Sequence, residues 1–222
     1  MNEDRVNADF RRRVVIATET LSWRPSPQKG VERRLLDRIG GEIARATSLV
    51  RYAPASHFPA HAHALGEEFL VLDGVFSDEQ GDYPAGTYVR NPPGSSHAPY
   101  TGRGCTILVK LRQMPQTESD HLVVDTTTAV WRSQAEGLAR LPLFASPDEM
   151  VALESLAPGA DQPEQAQTGG EEIFVLSGEL MDGEGTYSAA TWIRNPAGHR
   201  RALKSQRGAT YWVKRGHLRP AT

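Results

Sequence analysis

The sequence repeats itself, and this repeat constrains the fold more strongly than any other feature of the 222 residues. At an offset of 104 positions, Glu67–Gly74 (EEFLVLDG) aligns with Glu171–Gly178 (EEIFVLSG), and Thr87–Pro92 (TYVRNP) aligns with Thr191–Pro196 (TWIRNP). Between positions 53 and 110, 25 of 58 residues are identical to their partners without a gap. A repeat of this length predicts two domains with the same fold.

The two copies also predict the domain boundary. Upstream of the aligned segments the offset increases by four residues, so that Trp23 aligns with Trp131, and each copy begins before its tryptophan. A chain of this length accommodates two hydrophobic cores of about 100 residues each. We therefore predict an N-terminal domain at residues 1–118 and a C-terminal domain at residues 119–222.

The distribution of glycine and proline favours strands over helices. The 20 Gly and 15 Pro separate short β-branched and aromatic runs, such as Phe69–Leu72, which is followed by Gly74. No long segment shows the 3.6-residue apolar period of an amphipathic helix. The best helix candidate, Trp131–Phe144, contains a glycine and a proline. These features predict an all-β protein with little helix.

Four side chains of the first copy have the spacing of a metal site built on β-strands. His61 and His63 are separated by one residue, so on a strand both imidazoles point to the same face. Glu67 and His97 would add a carboxylate and a third imidazole from later strands. Imidazole and carboxylate ligands without thiolate suit zinc, iron, nickel, manganese or copper. We predict that these four residues bind one divalent metal ion per chain.

The second copy has lost this ligand set. The partners of the three histidines are Gln165, Gln167 and Arg201, in chain order, whereas Glu67 aligns with Glu171. Amides are weak metal ligands beside imidazole, and a guanidinium stays protonated. We therefore expect no metal in the C-terminal domain, and we expect Arg201 and Glu171 to form an ion pair in its place.

The two motifs of the first copy resemble the paired signatures of the cupin superfamily. Residues 61–74 follow the pattern HxH(x)3E(x)6G, and residues 86–97 follow G(x)5PxG(x)2H. Two positions depart from the family pattern: Ala55 stands at the first glycine, and Thr101 replaces the final asparagine. The resemblance implies two tandem double-stranded β-helix (jelly-roll) barrels. It also implies that His61, His63 and Glu67 are metal ligands together with the histidine of the second motif.

The spacing between the ligands resembles the cupin half of the ChrR anti-sigma factors, which carries zinc on a His-His-Glu-His set. The resemblance covers residues 20–112 and, as a metal-free repeat, residues 125–214. It implies zinc, with iron, nickel or manganese as alternatives. ChrR proteins bind the sigma factor through a separate N-terminal zinc domain with His and Cys ligands. Because this chain has a single cysteine, Cys105, the resemblance leaves anti-sigma activity in doubt and implies a ligand-sensing cupin.

Two functions of different classes follow from these observations. Four protein ligands saturate tetrahedral zinc, which is typical of a closed, non-catalytic site and favours a regulatory or sensory cupin that binds a small molecule, as in transcription regulation. A six-coordinate ion such as Fe(II) would keep two positions open, which favours a dioxygenase. Related cupins that cleave small diketones and hydroxyacetophenones support this second hypothesis. The sequence does not identify a catalytic residue.

Five further residues of the first copy are pocket candidates. Phe69 and Val71 have the same strand parity as Glu67 and are expected to point inward. Weaker pocket candidates are Tyr52, His57 and Tyr100. The single thiol opens the apolar run CTILV and is expected to be packed in the core rather than to act as a nucleophile.

Charge and hydropathy limit the partners. The net charge of −2 gives no electrostatic support for nucleic-acid binding, and no run of 18 apolar residues predicts a membrane span. The chain begins Met-Asn-Glu-Asp-Arg without an apolar leader, so we expect a cytoplasmic protein. The basic run Arg11–Arg13 is expected to be a solvated arm. Expected partners are a small-molecule ligand, a second copy in a homodimer and a regulatory protein such as a sigma factor.

Overall fold

The computed structural model describes residues 4–41 and 43–218, which are almost entirely β-strand. They form two compact units. The first comprises the residues up to Ala8 and Ser22–Ala129, and the second comprises Asp9–Leu21 and the residues from Val130 onward. Within the described residues, the helical structure is one 3-10 turn at Thr18–Thr20. None of their helical segments has the length and apolarity to cross a membrane. The predicted all-β class with little helix is confirmed.

Numbered along the chain, the strands of the first unit are β1 Arg5–Val6, β3 Arg24–Pro25, β4 Val31–Ile39, β5 Arg45–Tyr52, β6 Ser56–His57, β7 His61–Ala62, β8 Glu67–Asp78, β9 Gly81–Pro84, β10 Thr87–Asn91, β11 Ser96–His97, β12 Tyr100–Thr101, β13 Cys105–Leu111 and β14 Leu122–Asp125. The main sheet has the antiparallel order β1-β4-β5-β13-β8-β10-β14. The end of β8 leaves this sheet and pairs with β9 and β12, and β12 pairs in turn with β6. A separate short pair, β7 with β11, lies in the same unit.

The strands of the second unit are β2 Val14–Ala17, β15 Arg132–Ala135, β16 Leu138–Ala145, β17 Met150–Leu156, β18 Ala160–Ala166, β19 Glu171–Asp182, β20 Gly185–Ser188, β21 Thr191–Asn195, β22 Arg200–Ser205 and β23 Ala209–Arg215. Their order, β15-β16-β17-β23-β19-β21-β2, repeats the antiparallel arrangement of the first unit. The long strand β19 likewise leaves the main sheet to pair with β20 and β22. The sequence repeat is therefore a repeat of topology.

A glycine marks the point where each long strand changes sheet. Gly74 in β8 has φ +74°, and a Cβ there would lie 2.1 Å from the carbonyl oxygen of Gly104. In β19, Gly178 has φ +73°, and a Cβ there would lie 2.0 Å from the carbonyl oxygen of Gly208. Only glycine fits such a close backbone approach in the left-handed region. The glycine that both copies share is thus required by the fold.

The outer strand of each main sheet comes from the chain segment that precedes a repeat. In the first unit β14 pairs with β10, with Leu122 opposite Arg90. In the second unit β2 pairs with β21, with Val14 opposite Arg194. In the packing of the strands, residues 9–21 belong to the second unit and residues up to 129 to the first, so the outer strands are exchanged relative to the order of the repeats along the chain.

Two local expectations were wrong. The helix candidate at residues 131–144 forms β15 and most of β16, because Gly137 takes φ +69° and turns the chain into a hairpin. The arm at residues 11–13 is solvated only in part: Arg11 and Arg12 are exposed, but Arg13 forms an ion pair with Asp182.

Each unit has its own apolar core. The core of the first contains Val31, Val50, Phe69, Val71, Phe76, Tyr83, Val89, Cys105, Ile107 and Val109. The core of the second contains Ala152, Leu156, Ile173, Val175, Leu180, Tyr187, Ile193, Leu203, Ala209, Tyr211 and Val213. The expectation that Cys105 is a packed thiol is confirmed, since it is buried and burial raises its pKa to about 12. A thiol with that pKa is not a nucleophile at neutral pH.

Candidate metal centre

Short strands of the first unit bring the four predicted ligands together. In the antiparallel pair β7–β11, His61 lies directly opposite His97. The backbone N–H of His63 donates to the carbonyl of Ser95, 2.9 Å away, which extends this pairing by one residue. Gly66 then takes φ +72° in a turn closed by its own N–H on the His63 carbonyl, and β8 begins at the next residue. This turn places Glu67 beside the imidazoles.

The geometry of the four side chains fits one metal ion. One donor atom from each of His61, His63, Glu67 and His97 lies within 4.8 Å of the other three. The Oε2 atom of Glu67 is 3.6 Å from Nε2 of His63 and 3.5 Å from Nε2 of His97. The ring centroids of the three histidines are 4.7–5.0 Å apart. Atoms at these separations can all coordinate a single ion.

Two orphaned nitrogen atoms test the fit of a metal. The Nε2 atoms of His63 and His97 are buried and have no hydrogen-bond partner among the described residues. A buried polar atom without a partner costs about 1–3 kcal/mol, so two such atoms at one point need a compensating interaction. A metal ion supplies it, because it accepts the nitrogen lone pairs that the protein leaves unused. The residues present therefore fit a metal.

The far ring nitrogens of two of the histidines, His97 and His61, each contact a second residue. Nδ1 of His97 is 3.0 Å from Oδ2 of Asp78, and the other oxygen of this carboxylate, Oδ1, accepts a hydrogen bond from the Tyr83 hydroxyl. A proton on Nδ1 fixes the tautomer whose Nε2 lone pair points at the cluster. Nδ1 of His61 is 3.1 Å from the carbonyl of Pro59. Such contacts orient imidazoles and raise their basicity as ligands.

The carboxylate of Glu67 and the imidazole of His63 are also in forms that suit metal binding. Asn91 donates from Nδ2 to Oε2 of Glu67, 3.2 Å away, and so fixes the carboxylate. Burial lowers the pKa of His63, although the nearby Glu67 opposes this shift. The imidazole is therefore neutral at neutral pH, which is the form that binds metal.

A cavity of about 450 Å³ lies beside the cluster, within the usual size range of small-molecule sites. It is lined by His61, His63 and Glu67, by Arg33 and Arg112, and by apolar side chains, among them Val31, Val50, Phe58, Ile107 and Val109. An ion at the cluster would therefore be accessible from the cavity on one side.

The five predicted pocket residues lie in three environments. Tyr52 lines this cavity. Phe69 and Val71 face inward, as their parity predicts, but are 1% exposed and packed in the core, outside the cavity wall. His57 and Tyr100 stack on each other with ring centroids 5.9 Å apart, on the adjacent strands β6 and β12. Both are exposed, and neither is part of the cavity wall.

In the second unit, the equivalent position is filled by charged side chains. Nε of Arg201 donates to Oε1 of Glu171 over 2.6 Å, and Nε of Arg215 donates to Oε2 over 2.9 Å. The expected ion pair of Arg201 and Glu171 is thus present. Asn195 donates to the same carboxylate, as Asn91 does to Glu67 in the first unit.

Sequence reasoning missed Asp78, which holds the imidazole of His97. A signal was present in the sequence, because Asp78 aligns with Asp182 within the repeat. In the second unit Asp182 accepts hydrogen bonds from Tyr187 and Arg13, so the aspartate persists where the metal ligands do not. Its role with His97 becomes evident only once β11 is placed against β8.

The family follows from a comparison of the sequence with family models. Residues 11–115 and 119–219 each match the ChrR cupin-like domain. The chain belongs to this family. The predicted recognition as a ChrR-type bicupin is confirmed, and both repeats are cupin domains. In the cupin of residues 11–115, a His/Glu cluster could bind a metal; in the cupin of residues 119–219, the equivalent positions form an ion pair.

Solved structures show the same fold. A candidate dioxygenase from Nostoc punctiforme has a TM-score of 0.79 at 18% identity, over 96% of this chain and 86% of that chain. The protein Ylba from E. coli has a TM-score of 0.74 at 16% identity, over 96% and 94%. Oxalate decarboxylase from Bacillus subtilis, which has Mn(II) centres, has a TM-score of 0.64 at 13% identity, over 94% and 78%. No curated protein matches the sequence. These likenesses establish two tandem cupin barrels.

Proposed function

We propose that the first unit binds one divalent metal ion, zinc before iron, nickel or manganese, through His61, His63, Glu67 and His97. The observation that carries this proposal is the pair of buried Nε2 atoms that have no hydrogen-bond partner among the described residues and lie 3.5–3.6 Å from the carboxylate of Glu67. Three neutral imidazoles and one carboxylate form a donor set for a borderline transition metal. When bound, such an ion supplies Lewis acidity and a coordination point for a ligand atom.

We further infer a regulatory or sensory role, in which the cavity admits a small molecule beside the ion. Four protein donors saturate tetrahedral zinc, which favours binding over catalysis. The cavity then provides the apolar contacts, and the His61 side of the cluster faces it. This proposal includes three predictions from the sequence. They are a regulatory protein partner such as a sigma factor, a homodimer, and a cytoplasmic location.

A second candidate is an Fe(II)-dependent dioxygenase that acts on a small diketone or hydroxyacetophenone-like substrate. The cavity favours it, because a substrate there would reach the donor cluster directly. Likeness to the Nostoc candidate dioxygenase is consistent with this function, and at 18% identity it supports the fold alone. In such an enzyme the cavity walls would position the substrate and exclude water.

Metal analysis of the untagged full chain by plasma mass spectrometry tests the site. We expect close to one equivalent of metal in the wild type and a strong loss in His97→Ala. The control is Arg201→Ala at the equivalent position, which should leave the metal content unchanged. Wild-type protein that takes up no divalent metal after dialysis against zinc, iron, nickel and manganese would contradict the proposal.

The metal identity separates the two functions. One zinc per chain, with no oxygen uptake in the presence of small diketones, supports the sensory cupin. One iron per chain, with oxygen consumption that His97→Ala abolishes, supports the dioxygenase and rejects the sensory assignment. Oxygen-electrode measurements on iron- and zinc-loaded samples of the same preparation make the comparison direct.

A further inference from the structure

Arg33 lines the cavity beside the metal-ligand cluster without an acidic partner. It lies on β4, two residues after Val31, and both side chains contribute to the cavity wall. Across the sheet its partner on β5 is Val50, which cannot accept a hydrogen bond. Within residues 4–41 and 43–218, the guanidinium of Arg33 forms no ion pair and no hydrogen bond. A guanidinium has five donors, and Arg33 is partly buried between this cavity and a second one that Asp4 and Arg24 also line.

In the second unit, the arginine at the position equivalent to Arg33 is paired with a carboxylate. Arg140 on β16 is equivalent to Arg33, and its partner across the sheet is Glu154 on β17. Nε of Arg140 donates to Oε1 of Glu154 over 2.8 Å. The second unit therefore supplies a carboxylate where the first has Val50. Of the two equivalent arginines, Arg140 contacts a carboxylate in the second unit, whereas Arg33 lines a cavity in the first.

A second cation lines the cavity from a strained position. Arg112 follows β13 with φ +58°, in the left-handed region, whereas the equivalent residue of the second unit is Gly216 with φ +94°. A non-glycine residue in this region costs on the order of 1 kcal/mol, and such strain is concentrated at functional sites. In the described part of the chain its guanidinium also has no partner. Two unpaired cations thus share one cavity wall.

The hydroxyl of Tyr52 is a further polar group of the cavity wall. Tyr52 lines it, and the equivalent residue of the second unit, Leu156, has no polar atom. Burial raises the pKa of Tyr52 far above its usual range, with Glu67 adding to the rise and Arg33 opposing it. The phenol therefore keeps its proton and is a hydrogen-bond donor near both residues.

We propose that the cavity of the first unit binds a small monocarboxylic acid, with its carboxylate on the guanidinium of Arg33. The proposal rests on the proposed metal site and specifies its ligand. A guanidinium can bind a carboxylate through two parallel charge-assisted hydrogen bonds. The counterpart of Arg33 in the second unit, Arg140, binds one carboxylate oxygen, Oε1 of Glu154, with Nε at 2.8 Å and Nη2 at 2.6 Å. The apolar walls then enclose an apolar body, and about 450 Å³ suits a small ring or a short alkyl chain.

Calorimetric titration of metal-loaded full-length protein tests this assignment with matched probes. The acids are benzoate and hexanoate, and the uncharged matches are benzamide and hexanamide. We expect each acid to bind at least about tenfold more tightly than its amide. Arg33→Gln should weaken the acids by about tenfold or more and leave the amides unchanged. The control is Arg34→Gln, since Arg34 lies on the other face of β4, 4.4 Å from the ring centroid of Trp23.

The outcomes separate this inference from the metal proposal. Equal acid affinity in wild type and Arg33→Gln, or no binding of either acid by the wild type, overturns the acid site. If a chelator abolishes acid binding but Arg33→Gln does not, the carboxylate of the acid binds the metal ion. This result also overturns the assignment of the acid site to Arg33. Metal content is measured on the same samples, so wild-type protein that contains no metal contradicts only the proposed metal site. In that case the effect of Arg33→Gln on acid affinity is measured on the metal-free protein.

A substitution copied from the second unit gives an independent test. Val50→Glu places a carboxylate opposite Arg33, as Glu154 lies opposite Arg140. We expect it to compete with the ligand and to weaken acid binding by about tenfold or more, whereas Val50→Gln weakens it less. Unchanged acid affinity in a Val50→Glu protein that melts cooperatively would reject the role of Arg33.

Discussion

Glu67 and Glu171 open the long strands β8 and β19 at equivalent positions, and both are buried. Each accepts a hydrogen bond from an asparagine on the neighbouring strand. Their remaining surroundings differ: three imidazoles face the first carboxylate, and the guanidinium groups of Arg201 and Arg215 hold the second. A buried carboxylate needs a cation: Arg201 and Arg215 supply it in the second unit, and the proposed metal ion would supply it in the first.

The interiors differ in a second respect. In the second unit Glu154 bridges Arg140 and Arg215, and Arg215 continues to Glu171, so one chain of charges runs through the barrel. In the first unit the positions of Glu154 and Arg215 are Val50 and Leu111, and a cavity is present beside them. The comparison teaches that one repeat fills its interior with paired charges of its own, whereas the other keeps a cavity at the equivalent positions.

The largest effect should come from removing a metal ligand. His63→Ala takes away a buried ligand for which the described residues of the unit offer no replacement, so we expect most of the bound metal to be lost. Gln167→Ala at the equivalent position should leave the metal content unchanged. Metal analysis combined with thermal unfolding checks both. If the metal content depended on Gln167, the contrast between the two units would be wrong.

Removal of the Glu154 carboxylate should destabilise the second unit, because Glu154 joins Arg140 and Arg215 in the chain of charges. Glu154 is 1% exposed, and Glu154→Gln leaves two guanidinium groups with one fewer counter-ion. We expect the free energy of unfolding to fall by about 3–5 kcal/mol, the usual cost of breaking a buried ion pair. Glu164→Gln removes an exposed pair with Arg200 and should cost about 1 kcal/mol or less. Equal effects of the two substitutions in urea unfolding would contradict the structural role of the chain.

Acid should affect the second unit through the same carboxylate. Burial alone would raise the pKa of Glu154, but Arg215 and Arg140 lower it from its ordinary value near 4.5 to about 2. Because the folded pKa is depressed, its contribution is present above pH 4.5 and is lost as the pH falls toward 2. This contribution is on the order of 3 kcal/mol. Urea unfolding at several pH values should show a loss of stability in this range that is reduced in Glu154→Gln.

A smaller effect should come from the residue that orients a ligand. Asp78→Asn removes the charge beside Nδ1 of His97 and should weaken the metal by about 10–100-fold without abolishing it. The matched variant Asp182→Asn lies in the unit without the histidines and should leave the metal affinity unchanged. Competition with a chromogenic chelator measures both affinities. Identical metal affinities for Asp78→Asn and wild type would show that Asp78 has no role at the site.

Much of the fold could be predicted, because the long repeat indicates two similar domains and the short apolar runs between Gly and Pro indicate strands. The aligned segments predicted two all-β domains, and the cupin motifs placed the four donors on neighbouring strands. The helix candidate at residues 131–144 failed, because its helical period is weak and the left-handed Gly137 closes a hairpin there. The strand pairing of residues 14–17 with β21 could not be predicted, since it joins segments more than 170 positions apart.

The sequence by itself determined which unit could hold a metal, because ligand chemistry depends on residue type: three histidines are present in one copy and absent from the other. The tertiary structure alone decided what surrounds those ligands. Asp78 reaches His97, Arg33 faces Val50 and Arg140 faces Glu154 only after distant strands are brought into register. Register fixes which side chains share an interior, and a linear pattern of residues does not specify it.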